Sequence, residues 1–295
     1  MHNILATTIA CVLDASFGYP DAVYKRIKHP VVWLGAVIAW LERNFNSENP
    51  QKARNMGIIS MTYLVFITFI ISFAIAYYGG FIGQVIGIAS LLSGRSIYQH
   101  VNEVYHELQN GNVETARTKL ANITNNNSVS STEAEICANA IKSLATGFGD
   151  SVVAPIFWAM LLGLPGIACY KAINTAYILI HHETPRYKYF GQAATMLNAA
   201  ANFIPAHISL LIIYIVGSQT LNNMGKVVTD ARKDTSSYSK VAMAWVLGIN
   251  PNVKGLSSEA REATINDIER ALNLFLRCCF ISFIIMLAAA VLLPQ

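Results

Sequence analysis

Asp150, Lys171, Asn174 and Thr175 are the residues best placed for chemistry, because they flank the apolar run from Val152 to Ala168 with an acid before it and an amine, an amide and a hydroxyl after it. Polar groups at membrane depth are costly and often functional. With its flanks the run is long enough for a membrane-crossing helix, which would set these groups at its two rims. Asp150 admits two readings: a cap at a helix N-terminus, stabilised by free amides and the dipole, or a base or Mg²⁺ ligand. Lys171 could snorkel to headgroups or meet a substrate, and Asn174 with Thr175 could bond a neighbouring helix or line a site. Arg95 and Arg186 are planar, permanently charged donors that suit phosphate, against simple surface anchoring. His181 and His182, followed by Glu183, point different ways on a helix and read as a solvated helix end. His29 before Pro30 reads as a turn residue, and Asn202 with Pro205 as a helix start that packs and kinks, its amide able to reach a cavity.

The elements that must hold these residues follow from composition. Of the 295 residues 54% are hydrophobic and only 13% charged, too apolar for a soluble fold of this size. Apolar runs occur at Ile4–Leu13, Val31–Leu41, Gly57–Leu92, Val152–Ala168, Phe203–Val216 and Cys279–Leu293. A crossing helix needs ~20 mostly apolar residues, so the third and fourth are spans, the last two become spans with modest extension, and the first two are too short alone. The first run lacks a basic n-region and a cleavage site and is expected to stay in the mature protein. The region Gly57–Leu92 suits one overlong helix or two short crossings turning at Tyr77-Tyr78-Gly79-Gly80, and Gly79, Gly83 and Gly87 would line up one smooth packing face.

Helical spacing of Ile97, Val101, Val104, Tyr105 and Leu108 predicts an amphipathic helix from Ile97 to Leu120. Thr132 and Glu135 form a capping-box pair for another, with Ile136, Ala140, Ile141 and Leu144 as its stripe. A third begins near Ser257-Ser258-Glu259 and carries Ile268, Ala271, Leu272 and Phe275. No strand-like alternation and no internal repeat is visible. The expected architecture is all-α: a polytopic helical membrane protein, one integral membrane domain over residues 1–295, with a mostly polar helical insertion at about 95–148, a polar connection at about 218–258 and amphipathic helices in the connecting segments.

The formal charge of +4 is spread rather than striped, which excludes a nucleic-acid footprint. Lys25, Arg26, Lys28, Arg43, Lys52 and Arg54 place the segment before the first strong span in the cytoplasm. The five cysteines show no metal or disulfide spacing and read as buried thiols in a reducing setting. No GxxxxGK[ST] loop, GxGxxG turn or GxSxG elbow is present.

Through His29-Pro30-Val31-Val32-Trp33-Leu34-Gly35, Arg95-Ser96, the block Asp150 to Thr175, Thr184-Pro185-Arg186-Tyr187 and Ala201-Asn202-Phe203-Ile204-Pro205-Ala206, the chain resembles the CobD/CbiB family of cobalamin biosynthesis over most of its length. The resemblance implies a multi-pass protein of the cell (inner) membrane acting as adenosylcobinamide-phosphate synthase, an ATP-dependent amide ligase. Such an enzyme joins an aminopropanol phosphate arm to adenosylcobyric acid. It implies ATP and Mg²⁺ as cofactors, a corrinoid and an aminoalkyl phosphate as substrates, the lipid bilayer as partner, and room for a homo-oligomer. Asp150 and Asn174 would hold metal and substrate in a polar cavity at the cytoplasmic rim. Arg95 and Arg186 would grip phosphate, and Ser96, Lys171, Thr175 and Asn202 would complete the substrate contacts.

The departures lean one way, from carboxylate to neutral or basic. Thr146-Gly147 stands for the usual Glu-Asn, Ala176-Tyr177-Ile178-Leu179 for a Leu-Asp-Ser-Met type, Leu197-Asn198-Ala199 for Leu-Asp-Asp, and the stretch Lys233 to Lys240 for SPNAGWPE. Fewer acids weaken a Mg²⁺ site. The alternative expectation is therefore a catalytically silent membrane relative, a regulator or sensor like the AmpE proteins; a transporter built on broken helices is a third.

Overall fold

The computed structural model describes residues 2–18, 30–124, 132–181, 185–217, 224–231, 238–249 and 261–292. Lys25, Arg26, Lys28, His29, His182, Glu183, Thr184, the stretch 233–237 and the expected helix start at Ser257-Ser258-Glu259 lie outside the described residues. Among the described residues the only pairing of extended backbone is a single bridge, Ile249 to Arg261. The helices are α1 (His2–Phe17), α2 (Pro30–Phe45), α3 (Pro50–Leu91), α4 (Gly94–Gln109), α5 (Val113–Thr124), α6 (Glu133–Gly147), α7 (Ala154–Ile180), α8 (Gln192–Gly217), α9 (Met224–Ala231), α10 (Tyr238–Leu247) and α11 (Ile265–Leu292). Among the described residues four helical stretches, Pro50–Gln109, Glu133–Ile180, Gln192–Gly217 and Ile265–Ala290, are long and apolar enough to cross a membrane. The all-α membrane architecture expected from composition is the one observed.

The chain forms two compact units, one of Met1–Ser93, Ala154–Phe203 and Met286–Gln295, the other of Gly94–Val153 and Ile204–Ile285. In the first, α3 reverses at Gly80, whose φ of 56° and ψ of −147° leave the helical region. A methyl group on Gly83 would stand 3.1 Å from the carbonyl oxygen of Ile75. In a continuous helix residues eight apart are separated by about 12 Å along the axis, so the two arms of α3 lie side by side. Helix α7 does the same at Gly163 (φ 67°, ψ −150°), and a methyl on Gly166 would come within 2.3 Å of the Trp158 carbonyl oxygen. Pro165 falls in the first turn of the returning arm, where a missing N–H costs little.

The two reversals share a pattern, Ala-x₃-Gly-x₂-Gly, at Ala76-Gly80-Gly83 and at Ala159-Gly163-Gly166. In each, the second glycine meets the carbonyl five positions before the turn. Three matching residues at two turns do not make an internal repeat, and none was expected from the sequence. Nor do Gly79, Gly83 and Gly87 share a face. Gly79 lies before the reversal in open space, Gly83 packs across it, and Gly87 packs on Leu164 of α7.

The second hairpin also corrects the picture of polar groups at opposite rims. With a reversal midway, the start of α7 returns to the level of Tyr170, and Ala154, Trp158, Tyr170 and Ala201 pack together. One apolar cluster joins α1 to both hairpins through Ala6, Ala10, Val85, Ile88, Ala159 and Ile167. Another joins α2, the long arm of α3 and the long arm of α7 through Ile38, Leu64, Ala172 and Ile180, with Phe190.

In the second unit the amphipathic stretch is two helices rather than one, because Asn110-Gly111-Asn112 turns the chain, with Gly111 at φ 76°. Val101, Val104, Tyr105 and Leu108 of α4 are buried, as are Ala116 and Leu120 of α5. The capping box of Thr132 and Glu135 forms as expected, and Ile136, Ala140, Ile141 and Leu144 are buried. Asp267 anchors the start of α11. Its carboxylate accepts from both terminal nitrogens of Arg261 at 2.6 Å and from Arg270 at 3.1 Å, and also from the backbone N–H and hydroxyl of Thr264.

Candidate functional site

The sequence-predicted residues fall in both units. Lys171, Asn174, Thr175, Arg186 and Asn202 belong to the first; Arg95, Ser96 and Asp150 belong to the second. The first unit gathers a chain of amides between α7 and α8. Asn174 and Asn202 each donate from Nδ2 to Oδ1 of Asn198, at 3.3 and 3.2 Å, and the Tyr170 hydroxyl donates to Oδ1 of Asn202 at 3.1 Å. Trp158 donates from Nε1 to the Ala201 carbonyl. Asn202 and Pro205 are therefore interior residues of α8, not its start, because the helix already begins at Gln192. Lys171, only 5% exposed, donates from Nζ to the Ser93 hydroxyl at 3.3 Å, and the Thr175 hydroxyl bonds back to the Lys171 carbonyl. Thr175 thus spends its proton within its own helix.

Depth follows from helix length. From Met56 to Gly79 the long arm of α3 rises about 36 Å, more than the ~30 Å hydrocarbon core, which sets Tyr77 and Tyr78 at an interface where such rings are favoured. Tyr78 is 85% exposed. Gly163 lies against Gln84, a turn below that end, and Lys171 lies about 12 Å further along the returning arm. Lys171 and the asparagines consequently lie within the apolar thickness rather than at its rim, where each donor and acceptor must find a partner.

Arg186 has a different setting. Its Nε and Nη2 both donate to Oε1 of Glu42, at 2.9 and 2.8 Å, and the guanidinium lies 5.8 Å from the Tyr187 ring centroid. Asn46 completes the latch by donating to Glu42 and to the Arg186 carbonyl. The bond to Glu42 raises the already high pKa of Arg186, so its charge is fixed, and 64% of the side chain remains exposed to other anions.

In the second unit Asp150 is half-buried inside a π-helical turn, Phe148–Val153, that continues α6 directly into α7. No helix begins there, which removes the capping explanation. Such turns insert one residue into an α-helix and recur at functional sites. Phe148 is buried edge-on against Phe275, and a methyl on Gly147 would meet Ile97 of α4 at 2.6 Å. Arg95 and Ser96 open α4, with the Ser96 hydroxyl 3.3 Å from Nδ1 of His100.

Glu42, Ser93, Tyr170 and Asn198 were not singled out as site residues from sequence. For Asn198 a signal was present: it stands four residues before Asn202 in an apolar helix, the spacing that puts two amides on one face. Among the described residues no group of three or more His, Cys, Asp or Glu could enclose a metal ion. The cysteines are free, with Cys137 and Cys278 buried.

Comparison with known proteins matches the family model described as CobD/Cbib protein over residues 7–275. A cobalamin biosynthesis protein CobD of Brucella suis biovar 1 is 32% identical over 302 aligned residues, covering 92% of each chain. Its counterpart in Rhodobacter capsulatus is 31% identical over 299, covering 94% of each, and that of a Sinorhizobium species 29% over 320, covering 98% of each. No solved structure gives a significant match.

Proposed function

Because the chain belongs to the CobD/CbiB family, matched over residues 7–275, we propose that it acts in cobalamin biosynthesis as an ATP-dependent amide ligase joining an aminoalkyl phosphate to a corrinoid carboxylate. The observation that carries this reading is the buried group of Lys171, Asn174 and Asn198, hydrogen-bonded to the half-buried Asn202, within a membrane-embedded unit. A cation and three amides at that depth would serve an anionic, amide-bearing substrate. In the reaction the corrinoid carboxylate takes the terminal phosphoryl group of ATP, releasing ADP. The amine then attacks the acyl carbon and phosphate leaves with the bonding pair.

Lys171 would offset the negative charge of carboxylate or phosphate, and the asparagine amides would orient the acceptor. The open face of Arg186 in the first unit and, separately, Arg95 in the second are each a donor of the kind that binds phosphate oxygens. Mg²⁺ usually takes one or two carboxylates and fills its shell with water and substrate phosphates, which the single carboxylate of Asp150 suits better than an enclosed metal cage would. When bound, the ion would neutralise phosphate charge. The setting would be the inner membrane with Arg43, Lys52 and Arg54 cytoplasmic.

The deciding experiment is rescue of a cobalamin auxotroph that lacks the synthase. The parent chain should restore growth, and Asp150→Ala, inserted to the same level, should not. Failure of a well-inserted parent would sink the ligase reading and favour a silent relative.

A further inference from the structure

A pair of buried serines stands against the turn that carries Asp150. Ser209 of α8 donates its proton to the Ala206 carbonyl at 2.8 Å, so the hydrogen between Ser209 and Ser239 Oγ, also 2.8 Å apart, comes from Ser239 of α10. The Ser239 oxygen is thereby fixed, and it faces Gly149. A methyl on Gly149 would stand 2.8 Å from Ser239 Oγ, 3.8 Å from Ser209 Oγ and 3.9 Å from Ser239 Cβ. Only the first is too close. Beside the serines the His207 and Tyr238 rings pack with centroids 4.6 Å apart, joining the same two helices a second time.

We infer that Ser239 is a positioning residue: tethered by Ser209, its hydroxyl seats Gly149 and so holds the π-helical turn in the register that aims Asp150. A π turn relaxing to α geometry loses its extra residue from the ladder, which swings the following side chain by roughly 100° about the axis. Gly149 is one residue from Asp150, so a contact fixing the first governs the second. The inference rests on the reading of Asp150 as the carboxylate the reaction uses.

A suppressor pair tests it in the full-length protein purified in nanodiscs. Gly149→Ala must either turn the Ser239 hydroxyl away from Ser209 or push the turn aside. The kcat for amide formation should fall roughly tenfold with the corrinoid KM little changed. Amide hydrogen exchange across residues 148–153 should accelerate in the same variant. Adding Ser239→Ala leaves Cβ atoms at ordinary contact distance, so Gly149→Ala/Ser239→Ala should return both quantities to those of Ser239→Ala alone. Gly147→Ala, whose methyl would meet Ile97 instead, should gain nothing from Ser239→Ala. If Ser239→Ala does not suppress Gly149→Ala, or if exchange responds while kcat stays constant throughout, the positioning role is overturned. A parent that forms no amide overturns the ligase reading instead, and the exchange pattern then still decides whether Ser239 sets the turn.

Discussion

Asn198 accepts two amide hydrogens with one oxygen, and that makes it the residue on which the polar core of the first unit turns. Asn198→Leu would leave the Nδ2 groups of Asn174 and Asn202 without that acceptor in an apolar setting, at a cost of roughly 1–3 kcal/mol. A lowered unfolding midpoint in detergent measures it. Asn198→Asp keeps an acceptor for both bonds but buries a carboxyl group at membrane depth and loses the amide donor of Asn198, so its midpoint should fall as well. Much of this was legible in the residue types: Lys171, Asn174 and Asn202 stand out in an apolar context, and the structure buries the first two. The setting of Asp150 was legible only in part. Its sequence setting, an acid before an apolar run, suits a cap equally well, and only the continuity of α6 through the π turn into α7 excludes that.

Helices α3 and α7 owe their reversals to glycines whose tolerance of substitution should follow what surrounds each. Gly79 has nothing within 4 Å of an added methyl and should accept alanine with little loss. Gly80 has equally open surroundings but a φ of 56° with a ψ of −147°, a combination nearly exclusive to glycine, so Gly80→Ala should cost roughly 1–3 kcal/mol of backbone strain. Gly166→Ala should be the most damaging of the three, since its methyl would strike the Trp158 backbone at 2.3 Å and force the arms apart. Thermal unfolding of the three variants checks the order. Sequence reading found the Gly79-Gly80 turn as one of two options but read Gly163 as part of a straight span. The reason is physical: a run as apolar as Val152–Ala168 has the same hydropathy whether it crosses or doubles back, and Leu164-Pro165-Gly166 resembles an ordinary helix interruption.

For the whole molecule, four candidate spans do not amount to four simple crossings. The returning arm of α3, from Phe81 to Leu91, rises about 16 Å, roughly half the hydrocarbon thickness. With Lys52 and Arg54 cytoplasmic, Tyr78 should face the opposite compartment. A cysteine at Tyr78 should react with a membrane-impermeant maleimide applied outside, and one at Gln51 should not, in a background whose native cysteines are replaced by alanine. Reaction of both from the same side would refute this placing of α3.

The contact of Gly163 with the hydrogen-bonded side chains of Asn3 and Gln84 also bears on biogenesis. Those two amides leave the ribosome well before the loop that closes over them, a delay of roughly 4–16 s at ~5–20 residues per second. Throughout that interval the nascent α1–α3 assembly carries an uncovered polar pair into the bilayer. Late arrival of α7 seals it, so a ribosome stalled before Gly163 should yield an inserted but protease-sensitive fragment.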